Sequence, residues 1–99
     1  QRLKPAAIVA IENLKYFQPL IKSGLVVDMG QIEDGNEDEE DHVLVLKGEE
    51  WRGRTILKLV KKVADGTSTD DARLGAIKIG KLLGYSNTEI RQFLNFRGL

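Results

Sequence analysis

Residues 75–82 come closest to a motif with chemistry of its own, the phosphate-binding loop of nucleotide-binding enzymes. Gly75, Gly80 and Lys81 stand at the spacing that this loop requires. The loop also needs Ser or Thr directly after the lysine to bind Mg²⁺, and a strand before its first glycine. Leu82 takes the first of these places, and a helical pattern precedes Gly75. The sequence therefore does not predict a nucleotide-binding loop.

The acidic residues between positions 33 and 41 are the second candidate, as a cation site. A calcium-binding EF-hand loop that starts at Asp34 needs Gly at its sixth position and Glu at its twelfth. Glu39 and Val45 stand at those positions. Glu39 and His42 form one E-x-x-H pattern, whereas di-iron sites need two such patterns and further glutamates. We therefore expect no metal site and no cofactor, and interpret the acidic run as a solvated loop.

Catalytic side chains are scarce in this sequence. His42 is the only histidine, and the chain has no cysteine. Disulfides, thiolate metal sites and cysteine nucleophiles are thereby excluded. No paired carboxylates fall on elements that we expect to be rigid, so no catalytic constellation emerges. We expect a protein that is not an enzyme, and we interpret His42 as an ordinary surface residue at the start of a strand.

The length of 99 residues predicts a single domain, residues 1–99. The chain starts at Gln1 rather than at Met, which favours a fragment of a longer protein. No apolar run reaches the ~18 residues of a membrane span, and the sequence shows no signal peptide. We expect an intracellular protein, in the cytoplasm or the nucleus, with no membrane partner. The pattern does not determine the oligomeric state.

Charge is distributed unevenly along the chain, although its formal net charge is 0. Residues 1–50 hold five Lys or Arg and eleven Asp or Glu, a net charge of −6. Residues 51–99 hold ten Lys or Arg and four Asp or Glu, a net charge of +6. Such asymmetry favours a polyanionic partner for the basic half. The alternative, in which the two halves solvate or pair with each other, stays open.

Residues 5–23 are predicted to be helical. Pro5 suits a first helical turn, where its missing N–H costs nothing. The apolar residues from Ile8 to Phe17 cover a broad face, typical of a buried helix. We expect this helix to end near Phe17, because Pro19 disfavours helical geometry at the residue before it. One further turn is expected before Gly24.

Two short β-branched segments, residues 25–29 and 42–46, predict the strands of an antiparallel hairpin. The segment between them, residues 30–41, is acidic and poor in apolar residues, and we expect a flexible loop there. Trp51 follows the second strand, and we expect it to fill the core at the junction with the next helix.

The last half, residues 52–99, is predicted to be a basic three-helix subregion. Apolar residues at helical spacing indicate helices over 54–64, 70–83 and 86–97. Ser86 and Glu89 form a capping box, the strongest local signal in the chain, which predicts a helix that begins at Ser86. The predicted fold is therefore mainly α, with an N-terminal helix, a small two-stranded β-hairpin and a C-terminal three-helix core.

The segment from Ala76 to Asn95 resembles the helix-turn-helix family of DNA-binding domains. Gly80 is small where the two helices should cross, and Gly84 falls in the turn. The positions that lock the second helix onto the first hold apolar side chains, at Ile79, Leu83, Ile90 and Phe93. With the helix at 54–64 counted first, the likeness extends to the trihelical core of that family.

This resemblance implies a double-stranded DNA-binding domain that acts in transcription regulation. The helix that starts at Ser86 would enter the major groove, where Arg, Asn and Gln make bidentate contacts with bases. Its base contacts would come from its exposed early residues, Asn87, Thr88, Arg91 and Gln92, with Asn95 one turn later. Phosphate contacts would come from Lys78, Lys81 and Arg97, supported by Lys58, Lys61 and Lys62.

A protein–protein interaction module is the alternative. Leu83, Gly84 and Tyr85 are similar to the loop of ubiquitin-associated three-helix domains, although the Met of that loop is absent and no third helix follows. In this interpretation the same helices form the core, and the acidic loop binds a basic partner. In the DNA-binding interpretation that loop binds a protein or folds over the basic face.

Overall fold

The computed structural model describes residues 4–33, 40–66 and 69–98. These residues form three strands and four α-helices, and a 3₁₀ helix at Ile11–Phe17 links the first strand to the first α-helix. In chain order the elements are β1 (Ala6–Ala10), α1 (Gln18–Ser23), β2 (Val26–Gln31), β3 (Asp41–Leu46), α2 (Glu50–Asp65), α3 (Thr69–Leu82) and α4 (Asn87–Arg97).

β3 is the central strand of an antiparallel sheet with the order β1-β3-β2. Val45 lies opposite Ala6 on one side and opposite Val27 on the other. The predicted two-stranded hairpin was therefore wrong, because a third strand pairs with the free edge of β3. Val43, Leu44 and Val45 are all at most 3% exposed. Since successive side chains point to opposite faces of a strand, both faces of β3 are covered.

The predicted N-terminal helix was also wrong. Ala6–Ala10 form strand β1, and a 3₁₀ helix follows. A short apolar run that contains Ile8 and Val9 is compatible with either a helix or a strand, and its period does not distinguish them. As a strand, this segment forms backbone hydrogen bonds with β3. A helix at the same place could not form them. Pro19 lies in the first turn of α1 rather than ending a helix, and Gly24 ends α1 with φ +83°.

Both ends of the range 30–41, which was predicted to be a flexible loop, belong to the sheet or to the core. β2 continues to Gln31, Ile32 is 7% exposed, and β3 starts at Asp41. The acidic residues 34–39, which carry most of the predicted loop, lie outside the described residues.

The main hydrophobic core lies between the sheet and the helices, and not inside a three-helix bundle as predicted. Ile56 of α2 is fully buried together with Val43 and Val45 of β3. α2 packs against the sheet and against α3, whereas α4 packs chiefly on α3. The three-helix core was wrong for a physical reason: the apolar stripe of α2 covers the sheet, so it is not available to close a bundle around α4.

Trp51 lies in the first turn of α2 and is 48% exposed, so the prediction that it fills the core was wrong. The Arg52 guanidinium carbon lies 4.6 Å from the centre of the Trp51 ring. No helix of the described residues is both long enough and apolar enough to cross a membrane.

Candidate nucleic-acid interface

The start of α4 is built as the capping box predicts. The Ser86 hydroxyl accepts a hydrogen bond from the Glu89 backbone N–H at 3.1 Å, and the Glu89 carboxylate accepts one from the Ser86 N–H at 2.9 Å. The bond from the Ser86 N–H to the Glu89 carboxylate holds the pKa of Glu89 below its ordinary value of 4.5, with the Ser86 side chain and the Lys4 ammonium adding to the effect. Two otherwise unpaired N–H groups are satisfied, so α4 has a defined first turn.

α3 and α4 cross at Gly80, as predicted. A Cβ on this buried glycine would lie 2.9 Å from Cγ1 of Ile90. Gly84 supplies the turn with φ +90°, a conformation that glycine adopts without steric cost. Ile90 and Leu94 are the buried residues of α4, whereas Phe93 is 51% exposed. Phe93 is thus wrongly predicted as a locking residue; Leu94, four residues after Ile90, takes that place.

Two cations fix the end of α3, and the sequence did not point to either of them. Arg52 Nη1 donates to the Leu82 carbonyl at 3.1 Å, and Lys4 Nζ donates to the Gly84 carbonyl at 3.0 Å. Carbonyls at a helix C-terminus lack partners within the helix and attract positive charge. Because Lys4 is 80 residues from Gly84 in the chain, no local pattern predicts this contact.

All ten residues predicted to bind nucleic acid are exposed. They do not form one surface. Four of them line a cleft between α2 and α3, namely Lys58, Lys61, Lys62 and Lys78. Five lie on α4, namely Asn87, Thr88, Arg91, Gln92 and Arg97. Lys81 lies on α3, outside the residues that line the cleft.

The lysine cleft, as we call the cleft lined by those four lysines, has a volume of about 560 Å³. Its apolar lining comes from Leu59, Val63 and Leu74. Asp65 and Asp71 also line it, so four lysines against two aspartates leave a formal charge of +2. Lys61 additionally pairs with the Glu33 carboxylate at 3.6 Å. The cleft is basic but partly compensated.

Close approach of α2 and α3 brings these lysines together. A Cβ on Gly75 would overlap Cγ2 of Val63, so only glycine permits this contact. Lys78 precedes Gly80 by two residues, about 200° around the helix. Since Gly80 faces α4, Lys78 lies on the other side of α3. The lysine cleft and the exposed face of α4 are thus separated by the width of α3.

The exposed polar residues of α4 share one face. Thr88, Arg91, Gln92 and Asn95 follow the i, i+3, i+4, i+7 spacing of a helix face, and all four are exposed. The buried stripe of Ile90 and Leu94 points elsewhere, towards α3. The arrangement presents hydrogen-bond donors and acceptors outward from a capped helix.

His42 differs from its interpretation as an ordinary surface residue. Its Nδ1 lies 3.1 Å from Asp28 Oδ1 and its Nε2 lies 3.0 Å from Glu40 Oε2, with the side chain only 15% exposed. The two carboxylates contact opposite edges of the ring, so the three residues do not converge on one ion. Within residues 4–33, 40–66 and 69–98, no group of three metal-ligating side chains could hold a metal ion.

The chain matches no protein-family model, no curated protein and no solved structure.

Proposed function

We propose that this domain binds double-stranded DNA, through the lysine cleft and the polar face of α4. The observation that carries the proposal is the convergence of four lysines, from two helices, on one cleft. Lysine ammonium groups neutralise phosphates and release counterions, which provides most of the affinity in sequence-independent binding. The net charge of +6 over residues 51–99 acts in the same direction.

The polar face of α4 supports contacts with bases. An α-helix fits the major groove, which is about 12 Å wide. α4 is exposed on the side that carries Thr88, Arg91, Gln92 and Asn95. Arg91 would contact guanine, while Gln92 and Asn95 would contact adenine, according to the donors and acceptors that these bases offer. α3 packs beside α4 and is roughly 10 Å across. When α4 lies in the major groove, α3 therefore lies over the sugar–phosphate backbone at the edge of the groove, where its lysines can contact phosphates.

Titration of the labelled protein with random duplex DNA, over a series of salt concentrations, tests the proposal. We expect binding that weakens linearly on a log–log plot, with a slope of about −0.9 for each phosphate contacted. Four lysine contacts correspond to a slope between about −3 and −4. Absence of a complex at low salt, in a mobility-shift assay, would refute DNA binding.

Two substitutions separate affinity from sequence preference. Arg91→Ala should reduce discrimination at one base position by about 1–3 kcal/mol. Lys81→Ala should weaken binding to all sequences alike. It should also reduce the magnitude of the slope of log affinity against log salt concentration by about 1. If both variants weaken all sequences equally, α4 does not read bases.

A protein-interaction module is the second candidate, and one observation favours it. Tyr85, Phe93 and Phe96 are 46%, 51% and 86% exposed, and all three belong to α4 or to the turn before it. Contiguous exposed apolar side chains mark interaction surfaces more often than they mark surfaces left to solvent. Binding of α4 to a protein groove would use these aromatic residues rather than Arg91 and Gln92.

A further inference from the structure

α4 has a third surface besides its buried stripe and its polar face. Tyr85, Glu89, Phe93 and Arg97 are spaced by four residues, and Phe96 lies beside Phe93 and Arg97 on the helix. We call these five residues the aromatic stripe. Every one of them is exposed. The stripe runs the whole length of α4.

Contacts within the chain cover the stripe poorly. The Arg97 guanidinium carbon lies 5.9 Å from the Phe93 ring centre, and Lys4 Nζ lies 4.7 Å from that of Tyr85. Phe96 remains 86% exposed. Burying this phenylalanine side chain, which is now in water, is favourable because apolar surface leaves water. Binding of another apolar surface to the stripe is therefore favourable.

The charges of the stripe are complementary to themselves. Glu89 stands four residues before Phe93 and Arg97 stands four residues after it. Within the chain, Oε1 of Glu89 accepts the Ser86 N–H and lies 3.5 Å from Lys4 Nζ, so Arg97 of a second copy would add to these contacts. If two copies of α4 pair antiparallel about a two-fold axis at Phe93, Glu89 of each copy meets Arg97 of the other. A parallel pair would instead place Glu89 against Glu89 and Arg97 against Arg97. Both arrangements cover the Phe93 ring, but only the antiparallel arrangement pairs both charges.

We infer that the aromatic stripe binds a second copy of this chain, with the two α4 helices antiparallel. The contact is isologous, so the same patch serves both partners and the assembly closes as a dimer. Arg91 and Asn95 of the polar face point away from the pair, on the other side of the helix from the stripe. Gln92 stands four residues before Phe96 and flanks the stripe. One helix pair buries less than the ~1,600 Å² of a standard interface, so weak, micromolar association is expected.

This inference gives the protein-interaction candidate a specific partner and rests on that candidate, not on DNA binding. Sedimentation equilibrium without nucleic acid, from roughly 10 μM to 1 mM protein, measures the association directly. Phe96→Ser should weaken the dimer at least tenfold. Tyr16→Ser is the matched control, because Tyr16 is an aromatic residue, 69% exposed, in the 3₁₀ helix. A monomer at all concentrations, or an equal effect of both substitutions, overturns the inference.

Disulfide cross-linking tests the direction of the pair, since the chain has no cysteine of its own. Phe93→Cys should form a disulfide with itself, because position 93 lies on the two-fold axis. Glu89→Cys and Arg97→Cys should cross-link when mixed, while neither cross-links alone. Disulfide-linked dimers of Glu89→Cys alone would show a parallel pair and would contradict the inference. Circular dichroism of each variant confirms that it is folded. DNA binding of the wild-type protein is measured separately, so that failure of the dimer and failure of DNA binding are distinguished.

Discussion

Nδ1 of His42 on β3 lies 3.1 Å from Oδ1 of Asp28 on the neighbouring strand β2. The same carboxylate accepts a hydrogen bond from the Gly30 N–H at 2.9 Å. Gly30 has φ +110° and lies where the register of β2 against β3 shifts, between Asp28 and Gln31. Asp28 thus links the irregular end of β2 to the imidazole.

Stability should fall as the pH rises above 6.5 and through the pKa of His42 in the folded state. Hydrogen bonds to Glu40 and Asp28 raise the pKa of His42 above its ordinary value of 6.5, against a smaller effect of burial. The folded state therefore binds the proton more tightly than the unfolded state does. Its stabilisation is complete below pH 6.5 and is lost as the pH rises through the pKa of the folded state. Urea unfolding at a series of pH values measures this dependence.

The single imidazole makes the control simple. In a proton NMR titration, the only histidine signal should report a pKa above 6.5. His42→Gln should remove the stability difference across this pH window. If the wild-type pKa is at or below 6.5, the two carboxylates do not hold the proton in solution.

Ser86→Ala should lower the free energy of unfolding by about 1 kcal/mol, within a range of roughly 0.5–2 kcal/mol for lost N-caps. The Ser86 hydroxyl is the acceptor for the Glu89 N–H, which alanine leaves without its partner. Thr88→Ala, at an exposed position in the first turn of α4, serves as the control and should stay within ±0.5 kcal/mol. Equal effects of the two substitutions in urea unfolding would mean that the cap does not stabilise α4.

Gly75→Ala should destabilise the protein, although alanine is the better helix former by roughly 0.5–1 kcal/mol. The added Cβ would overlap Cγ2 of Val63. Val63 is β-branched and stiff at χ1, so α2 and α3 must separate, at a cost of about 1–3 kcal/mol.

A double-mutant cycle with Val63→Ala isolates the overlap. In that background Gly75→Ala should be neutral or stabilising. If Gly75→Ala stabilises the wild-type protein, the two helices are not held as closely as Gly75 and Val63 indicate.

Substitutions in the lysine cleft should change DNA binding by reducing its salt dependence. Lys58→Gln and Lys78→Gln each remove one cation from a different wall of the cleft. Each should reduce the magnitude of the slope of log affinity against log salt concentration by about 1. Lys47→Gln is the control, since Lys47 is exposed in the turn before α2 and does not line the cleft. Equal slopes for all three variants and the wild type would place the phosphates elsewhere.

The capped helix α4 shows what local sequence can predict. Ser86 and Glu89 lie three residues apart, and their reciprocal hydrogen bonds need no distant partner. Gly80 and Gly84 were also predictable, because a helix crossing needs a small residue and a tight turn needs positive φ. Helical spacing also predicts that the basic residues of α2 lie on its exterior, and they are exposed: Arg54, Lys58, Lys61 and Lys62.

β1 shows what local sequence could not predict. Ala6–Ala10 is a short apolar run whose propensity allows two structures. The choice depended on β3, more than 30 residues away, which had a free edge and two apolar faces. His42 follows the same rule, because its neighbour Asp28 is brought to it by strand pairing.

Sequence by itself determined where the C-terminal helices lie, how α4 begins, and that the positive charge belongs to the second half of the chain. These features depend on hydrogen bonds and side-chain spacing within a few residues. Tertiary structure alone decided that the N-terminus joins the sheet, that Lys78 joins the lysines of α2, and that Phe93 and Phe96 face outward. Each of these outcomes depends on which apolar surfaces cover each other, and that competition involves residues from the whole chain.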